Sequence, residues 1–150
     1  MIAGGVIRKM TETDIPRILE IERECFPMPW TETMFLCQLR LEEVSTNLVF
    51  DGDDGIGGYI IAWTGFEEVH ILSIGVDPLK RGLGIAEGLL EAAIEENRSK
   101  GCLKIVLEVR KGNARARRFY EKQGFNQIGI RKGYYAETGE DALVLEKDIV

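Results

Sequence analysis

Histidine, cysteine and long apolar runs are scarce in this chain, and each scarcity removes a class of function. There is one histidine, His70, and there are three cysteines, Cys25, Cys37 and Cys102, far apart and without a CxxC pair. A zinc centre gathers about four nitrogen or sulfur ligands, so zinc is excluded and a metal-free protein is expected. Odd, scattered cysteines suit a reducing compartment better than a disulfide framework. No apolar run approaches the ~20 residues of a membrane helix. Met1–Ile7 is too short for a secretory apolar segment before charge sets in. Basic residues are also in deficit. The difference of 19 Lys and Arg against 25 Asp and Glu is −6, which speaks against a protein that coats nucleic acid.

What remains is 150 residues, 45 % apolar and 29 % charged, without linker, repeat or low-complexity segment. That composition fits one soluble domain over residues 1–150, able to bury a core without a metal or disulfide. The expectation is a cytoplasmic protein with neither membrane nor nucleic acid as partner.

Along the chain, Val6 to Lys9 reads as a first strand. Thr13 or Asp14 caps a helix with Pro16 in its first turn, and Ile15, Ile18, Leu19 and Glu22 recur at helical spacing. Pro27 and Pro29 end it, and Thr31 caps a second helix through Leu39. Leu48–Phe50, Gly58–Trp63 and Val69–Val76 form an antiparallel meander, the first pair joined by the turn Asp51–Gly55. That turn superficially resembles a calcium loop but has Ala62 where the closing glutamate is needed. A helix follows with Leu89, Leu90, Ala93 and Ile94, then a strand from Leu103 to Val109. Asn113 starts another helix carrying Phe119 and Tyr120, and Phe125–Ile130 and Ala142–Glu146 are the last strands. The order β, α, α, β, β, β, α, β, α, β, β predicts an α/β (α+β) fold with a mixed sheet flanked by helices.

The most informative segment is Arg81-Gly82-Leu83-Gly84-Ile85-Ala86, between a strand and a helix. Its small residues let backbone approach a ligand, and the helix start aims free N–H groups and a partial positive charge at one point, which favours phosphate. Arg81 can add a charge-assisted contact. The P-loop pattern is absent. The Rossmann pattern fails because its third glycine position is Glu87, after strands that are not a parallel βαβ unit. Read alone, the loop could also be a simple tight turn.

Val76-Asp77-Pro78 followed by Arg81–Ala86 resembles the [Q/R]xxGx[G/A] signature of the GCN5-related N-acetyltransferases. Asn113, Phe119-Tyr120-Glu121 and Gly124-Phe125, about 30 residues further on, resemble that family's second block. Cys25–Thr31, Leu107-Glu108-Val109-Arg110, and Gly133-Tyr134-Tyr135 with Gly139–Ala142 are similar to segments of the ribosomal-protein-alanine N-acetyltransferases. The resemblance spans Val6 to Ile149 and departs at Ala86, where many members have glycine.

The resemblance implies the GNAT fold, a mixed, mostly antiparallel seven-stranded sheet with about four helices. It implies acetyl-CoA as co-substrate, its pyrophosphate on Arg81, Gly82, Leu83, Gly84, Ile85 and Ala86. Its pantetheine pairs with Ile74, Gly75 and Val76, where the next strand splays away, and Asn113 is a further contact. Phe26, Trp30, Tyr134 and Tyr135 would line the side of a peptide N-terminus, with a ribosomal protein as the implied partner.

Acetyl transfer to an amine needs a base, donors for the thioester oxygen and a donor for the departing thiolate. Strand alternation puts Lys104, Val106 and Glu108 on one face. A strand-end glutamate read alone is more readily an exposed or paired acid. The resemblance makes Glu108 the base, with burial able to raise its pKa. Tyr120 alone reads as a packing tyrosine, and the resemblance makes it the acid. His70 could hold a relaying water or be a partly exposed strand residue. No cysteine has a histidine beside it in sequence, so direct attack is favoured over an acyl-enzyme. Glu67, Glu68, Glu137 and Glu140 could draw a basic tail or be plain solvated surface. Two other readings stay open: acetylation of a lysine or small amine, and an acyl-CoA-binding regulatory module, which would not need Glu108 and Tyr120.

Overall fold

The computed structural model describes residues 4–150. Residues 1–3, which begin the segment read above as too short for secretion, lie outside the described residues. Seven strands form one sheet in the order β1-β2-β3-β4-β5-β7-β6. The strands are β1 (Gly5–Lys9), β2 (Ser45–Gly52), β3 (Gly55–Gly65), β4 (Glu68–Val76), β5 (Lys104–Arg110), β6 (Asn126–Tyr135) and β7 (Glu140–Asp148). The helices are α1 (Ile15–Cys25), α2 (Glu32–Arg40), α3 (Ile85–Arg98) and α4 (Ala114–Lys122). Every neighbouring pair is antiparallel except β4 with β5.

Side-chain alternation builds a core on each face. On β3, Ile60 and Ala62 pack with Leu48 and Phe50 of β2 against Leu89, Leu90 and Ala93 of α3. Tyr59 and Ile61 turn the other way, onto Ile15, Ile18 and Ile21 of α1 and Phe35 of α2. The helical spacing read from Ile15, Ile18 and Leu19 is the buried stripe of α1, with Pro16 in its first turn. Thr31 caps α2, its hydroxyl accepting from the Met34 N–H at 3.3 Å.

Asp14 precedes α1, but its carboxylate does not cap that helix. It accepts from both Arg8 Nη atoms at 2.8 Å and from the Thr11 N–H at 2.8 Å. Arg8 thereby ties β1 to the start of α1 and holds the Asp14 carboxyl below its ordinary range, against the opposing effect of burial. Asp14→Ala is expected to cost about 2 kcal/mol by urea unfolding at pH 7. A depressed native pKa contributes stability above the unfolded pKa, lost as pH falls through the native one. The gap between the two proteins should therefore close in acid.

Several strands are longer than their apolar runs predict, β6 among them. β6 continues through Arg131, Lys132 and Gly133 to Tyr135. It is an edge strand, so polar residues interrupt no buried face, and a register shift between Arg131 and Tyr135 marks a bulge with Gly133 at φ 61°. Tyr134 and Tyr135, read as a loop, thus sit at a strand end. The acidic turn residues serve other ends than calcium: Asp51 accepts from Arg8 at 3.0 Å and Asp54 pairs with Lys80. Among the described residues no helix is long and apolar enough to cross a membrane.

Candidate active site

A cleft of about 610 Å³ opens where β4 and β5 part. The two strands pair only over Glu68–His70 with Lys104–Val106, then diverge. The divergence leaves Ile74, Gly75 and Val76 without β5 as neighbour, and all three line the cleft. This is the splay that the family resemblance implies.

The glycine loop closes one end of the cleft. Asp77 anchors its approach by accepting from the Leu79 N–H at 2.9 Å and from Arg17 at 2.6 Å. Gly82 and Gly84 have φ of 82° and 84°, the left-handed conformation that glycine adopts without steric cost. Gly84 is the residue before α3, whose first-turn N–H groups lack helical partners. Arg81, Gly82, Gly84, Ile85 and Ala86 line the cleft. Leu83 is not among the lining residues and is exposed, so any part it has in a ligand site is through backbone. The free β4 backbone, the two left-handed glycines and the helix start together fit a pantetheine arm ending in phosphates.

At the other end lies Glu108, whose side chain is 7 % exposed. His70 Nε2 stands 2.8 and 3.0 Å from its two oxygens. A carboxylate only accepts, so Nε2 is the donor. The Tyr134 hydroxyl adds a longer bond of 3.4 Å. Burial pushes the Glu108 carboxyl up, but the hydrogen bond and charge of His70, with Arg131 and Tyr134, hold it below the ordinary range. This corrects the expectation that burial would raise it. His70 is no idle strand residue either: β4 and β5 are still paired at His70 and Val106, which brings its ring onto Glu108 two positions further.

Tyr120 is buried, packed edge-on against Phe119 and Phe125, and lines the same cleft. Burial drives its phenol well above the usual tyrosine range, so the group stays protonated. Asn113 also lines the cleft and caps α4, its side chain accepting from the Ala116 N–H at 3.2 Å. Phe26, Trp30 and Tyr135 line the cleft too, and Tyr134 meets it only through Glu108. Trp30 stacks on the buried Phe35, with ring centres 5.0 Å apart, so it serves core and cleft together. The Arg110 guanidinium lies 3.9 Å from the Tyr135 ring centre and pairs with Glu137 and Glu140. Those two glutamates are therefore committed to a cation, against the idea that they draw a basic tail.

Residues 15–125 match the model of the acetyltransferase (GNAT) family. The chain belongs to that family. It is 34 % identical to a ribosomal protein bS18-alanine N-acetyltransferase of Salmonella typhimurium, over 94 % of this chain and 95 % of that one. The structure superposes on a ribosomal-protein-S18-alanine N-acetyltransferase of Escherichia coli with a TM-score of 0.87 at 31 % identity, covering 97 % and 94 % of the two chains. It superposes on Ard1 of Thermoplasma volcanium with a TM-score of 0.91 at 26 % identity, covering 99 % of each. The protein is an acetyl-transferring enzyme of the GNAT fold, similar over nearly its whole length to the alanine N-acetyltransferases.

Among the cleft residues of this acetyltransferase that no motif announces are Glu22 and Cys25. Glu22 stands at an apolar position of the α1 stripe, and an acid there is itself the sign of a buried role. Cys25 has no histidine beside it in sequence, yet its thiol donates to the Val76 carbonyl at 3.3 Å within the cleft.

Proposed function

We propose that this acetyltransferase transfers the acetyl group of acetyl-CoA to the N-terminal α-amine of a protein. The alanine of ribosomal protein bS18, the substrate in the names of the relatives above, is the proposed class. What supports this reading most is that the glycine loop and Glu108, itself held by His70, open into one cleft, joined by β4 backbone that β5 leaves unpaired. Acetyl-CoA supplies, when bound, a thioester whose carbonyl an amine can attack and whose thiolate leaves.

The chain's own groups divide the remaining work. Arg81, Gly82, Gly84 and Ile85 hold the phosphates through backbone N–H groups and one guanidinium, and Ile74 and Gly75 offer free backbone to the arm, next to Val76, whose carbonyl accepts from the Cys25 thiol. Glu108 takes the proton of the amine. That amine has a pKa of about 7.7–8.0 when free, and its nitrogen becomes far more acidic as it bonds to the thioester carbon, which is the stage at which a weakly basic carboxylate can take the proton. His70 fixes the carboxylate's orientation by holding both its oxygens. Tyr120 offers a hydrogen bond to the departing thiolate. Its raised pKa makes it a better hydrogen-bond donor than proton donor, so the solvent-open cleft completes protonation. Phe26, Trp30, Tyr134 and Tyr135 flank the incoming peptide. All of this lies in one catalytic domain over 1–150, acting in the cytoplasm.

The test is incubation with acetyl-CoA and peptides beginning with Ala, Ser or Met, following free thiol and peptide mass. Thiol release with the acetyl group on the α-amine, fastest for Ala, is expected. Thermal stabilisation by acetyl-CoA without thiol release from any amine would mean a binding module. Release that persists when the N-terminus of a lysine-containing peptide is blocked, with the acetyl group on the lysine, would mean a lysine acetyltransferase.

A further inference from the structure

Among the described residues, Glu22 is the most deeply buried charged side chain, 1 % exposed. The other two buried acids face arginines, Asp14 with Arg8 and Asp77 with Arg17. Glu22 forms no ion pair among the described residues. Its partners are neutral: the Tyr59 hydroxyl and the Ser73 hydroxyl, at 3.0 Å, on Oε1, and the Trp30 N–H, at 2.9 Å, on Oε2. Three groups thus meet its two oxygens, and none of them is a cation. Burial and the Glu22 charge hold the Tyr59 phenol far above its ordinary range, so the hydroxyl remains the donor.

An unpaired buried charge is among the costliest groups a fold can carry, and an apolar residue of similar size would avoid the cost. Glu22 nevertheless lines the cleft, beside Phe26, Met28, Trp30 and Ser73. Four cations line it and none pairs with Glu22: Lys80 pairs with Asp54, Arg110 pairs with Glu137 and Glu140, Arg81 reaches Cys25 at 3.5 Å, and Arg115 lies on α4 beside Asn113 and Ala116. Oε2 accepts one hydrogen bond and has capacity for a second.

We propose that Glu22 is a specificity-determining residue of the amine side, and that the counter-charge missing from the fold is the protonated amine of the substrate. This rests on the α-amine reading above. At neutral pH an N-terminal amine is mostly ammonium. Glu22 draws that form into the cleft, and its proton passes to Glu108 as the nitrogen becomes nucleophilic. The product is a neutral amide with no charge for Glu22 to hold, so the same residue that favours substrate entry lets the product go.

The contrast uses three peptides identical except at the first residue: free α-amine, N-acetylated, and desamino. Their binding is measured at pH 7 with CoA present, so that no transfer occurs. In the wild-type enzyme the free-amine peptide should bind about tenfold or more tightly than the other two. Glu22→Gln should shrink that gap to about twofold, leave binding of the acetylated peptide and of CoA unchanged, and Glu22→Asp should restore most of it. Equal weakening of all three peptides would overturn the proposal, since it would mean that Glu22 merely fastens the Trp30 loop. So would an undiminished gap in Glu22→Gln, or no gap in the wild-type enzyme, which decides the matter even if Glu22→Gln does not fold. If thiol release runs on a small amine and not on peptides, the α-amine reading falls. The same contrast is then made with that amine and its acetyl product.

Discussion

Glu108→Gln is expected to lower kcat by about two to three orders of magnitude, the usual share of a positioned general base. The KM for acetyl-CoA should change less than about twofold, because no cofactor-binding residue is touched. The amide keeps the shape of the side chain and an acceptor for His70 Nε2, which limits the loss of structure. Titration adds a second signature. The wild-type carboxyl is held below its ordinary range once burial is outweighed by His70, so it stays ionised throughout the neutral region. Any fall in rate between about pH 8 and 6 then belongs to the substrate amine and should shift with the amine's pKa, not with the enzyme. Because the folded pKa is depressed, the stabilising share of Glu108 is present above its unfolded value and lost as pH falls through the folded one. Unfolding curves of the two proteins should differ at neutral pH and converge in acid, as pH falls through the lowered native value. Full activity of Glu108→Gln at neutral pH would remove it as base.

Gly84→Val is expected to raise the KM for acetyl-CoA about tenfold or more and to abolish most of the thermal stabilisation it confers, with a smaller effect on kcat. A Cβ at Gly84 meets nothing within 4 Å, so crowding is not the cause. The cost comes from φ 84°, which a β-branched residue adopts only at about 1–3 kcal/mol. Relaxing that strain turns the loop away from α3 and with it the N–H groups meant for phosphate. Gly84→Asn, which tolerates the left-handed region, should lie between the two. A wild-type KM in Gly84→Val would show that the loop does not hold the cofactor.

Most of the fold could be read because its determinants are local. Pro16, Pro27, Thr31 and Asn113 mark helix ends, and β3 and β4 announce themselves by apolar runs between tight turns. The full extent of β6 could not, because an edge strand tolerates Arg131 and Lys132 on both sides. The glycine loop, Glu108, Tyr120 and Asn113 were legible as residue types in a spaced pattern. The His70–Glu108 contact was not: it depends on the parallel register of β4 and β5, residues 38 apart in sequence. Glu22 was hidden for a related reason. Helical periodicity says which way a side chain points, but it does not say that a phenol, a hydroxyl and a backbone N–H wait there.

The parting of β4 and β5 also bears on how the molecule opens. Its sheet is two half-sheets, β1–β4 and β5–β7, whose backbones are joined through three ladder pairs and one flanking bond from the Leu103 N–H to the Glu67 carbonyl. The apolar layer beneath α3 runs unbroken under both halves and holds them in register. Cooperative opening therefore has a natural fault line across the middle of the sheet and not only at its edges. A ligand lying in the wedge bridges the two halves like a missing strand. Amide exchange along that seam should slow on binding, and the whole sheet should then unfold as one unit.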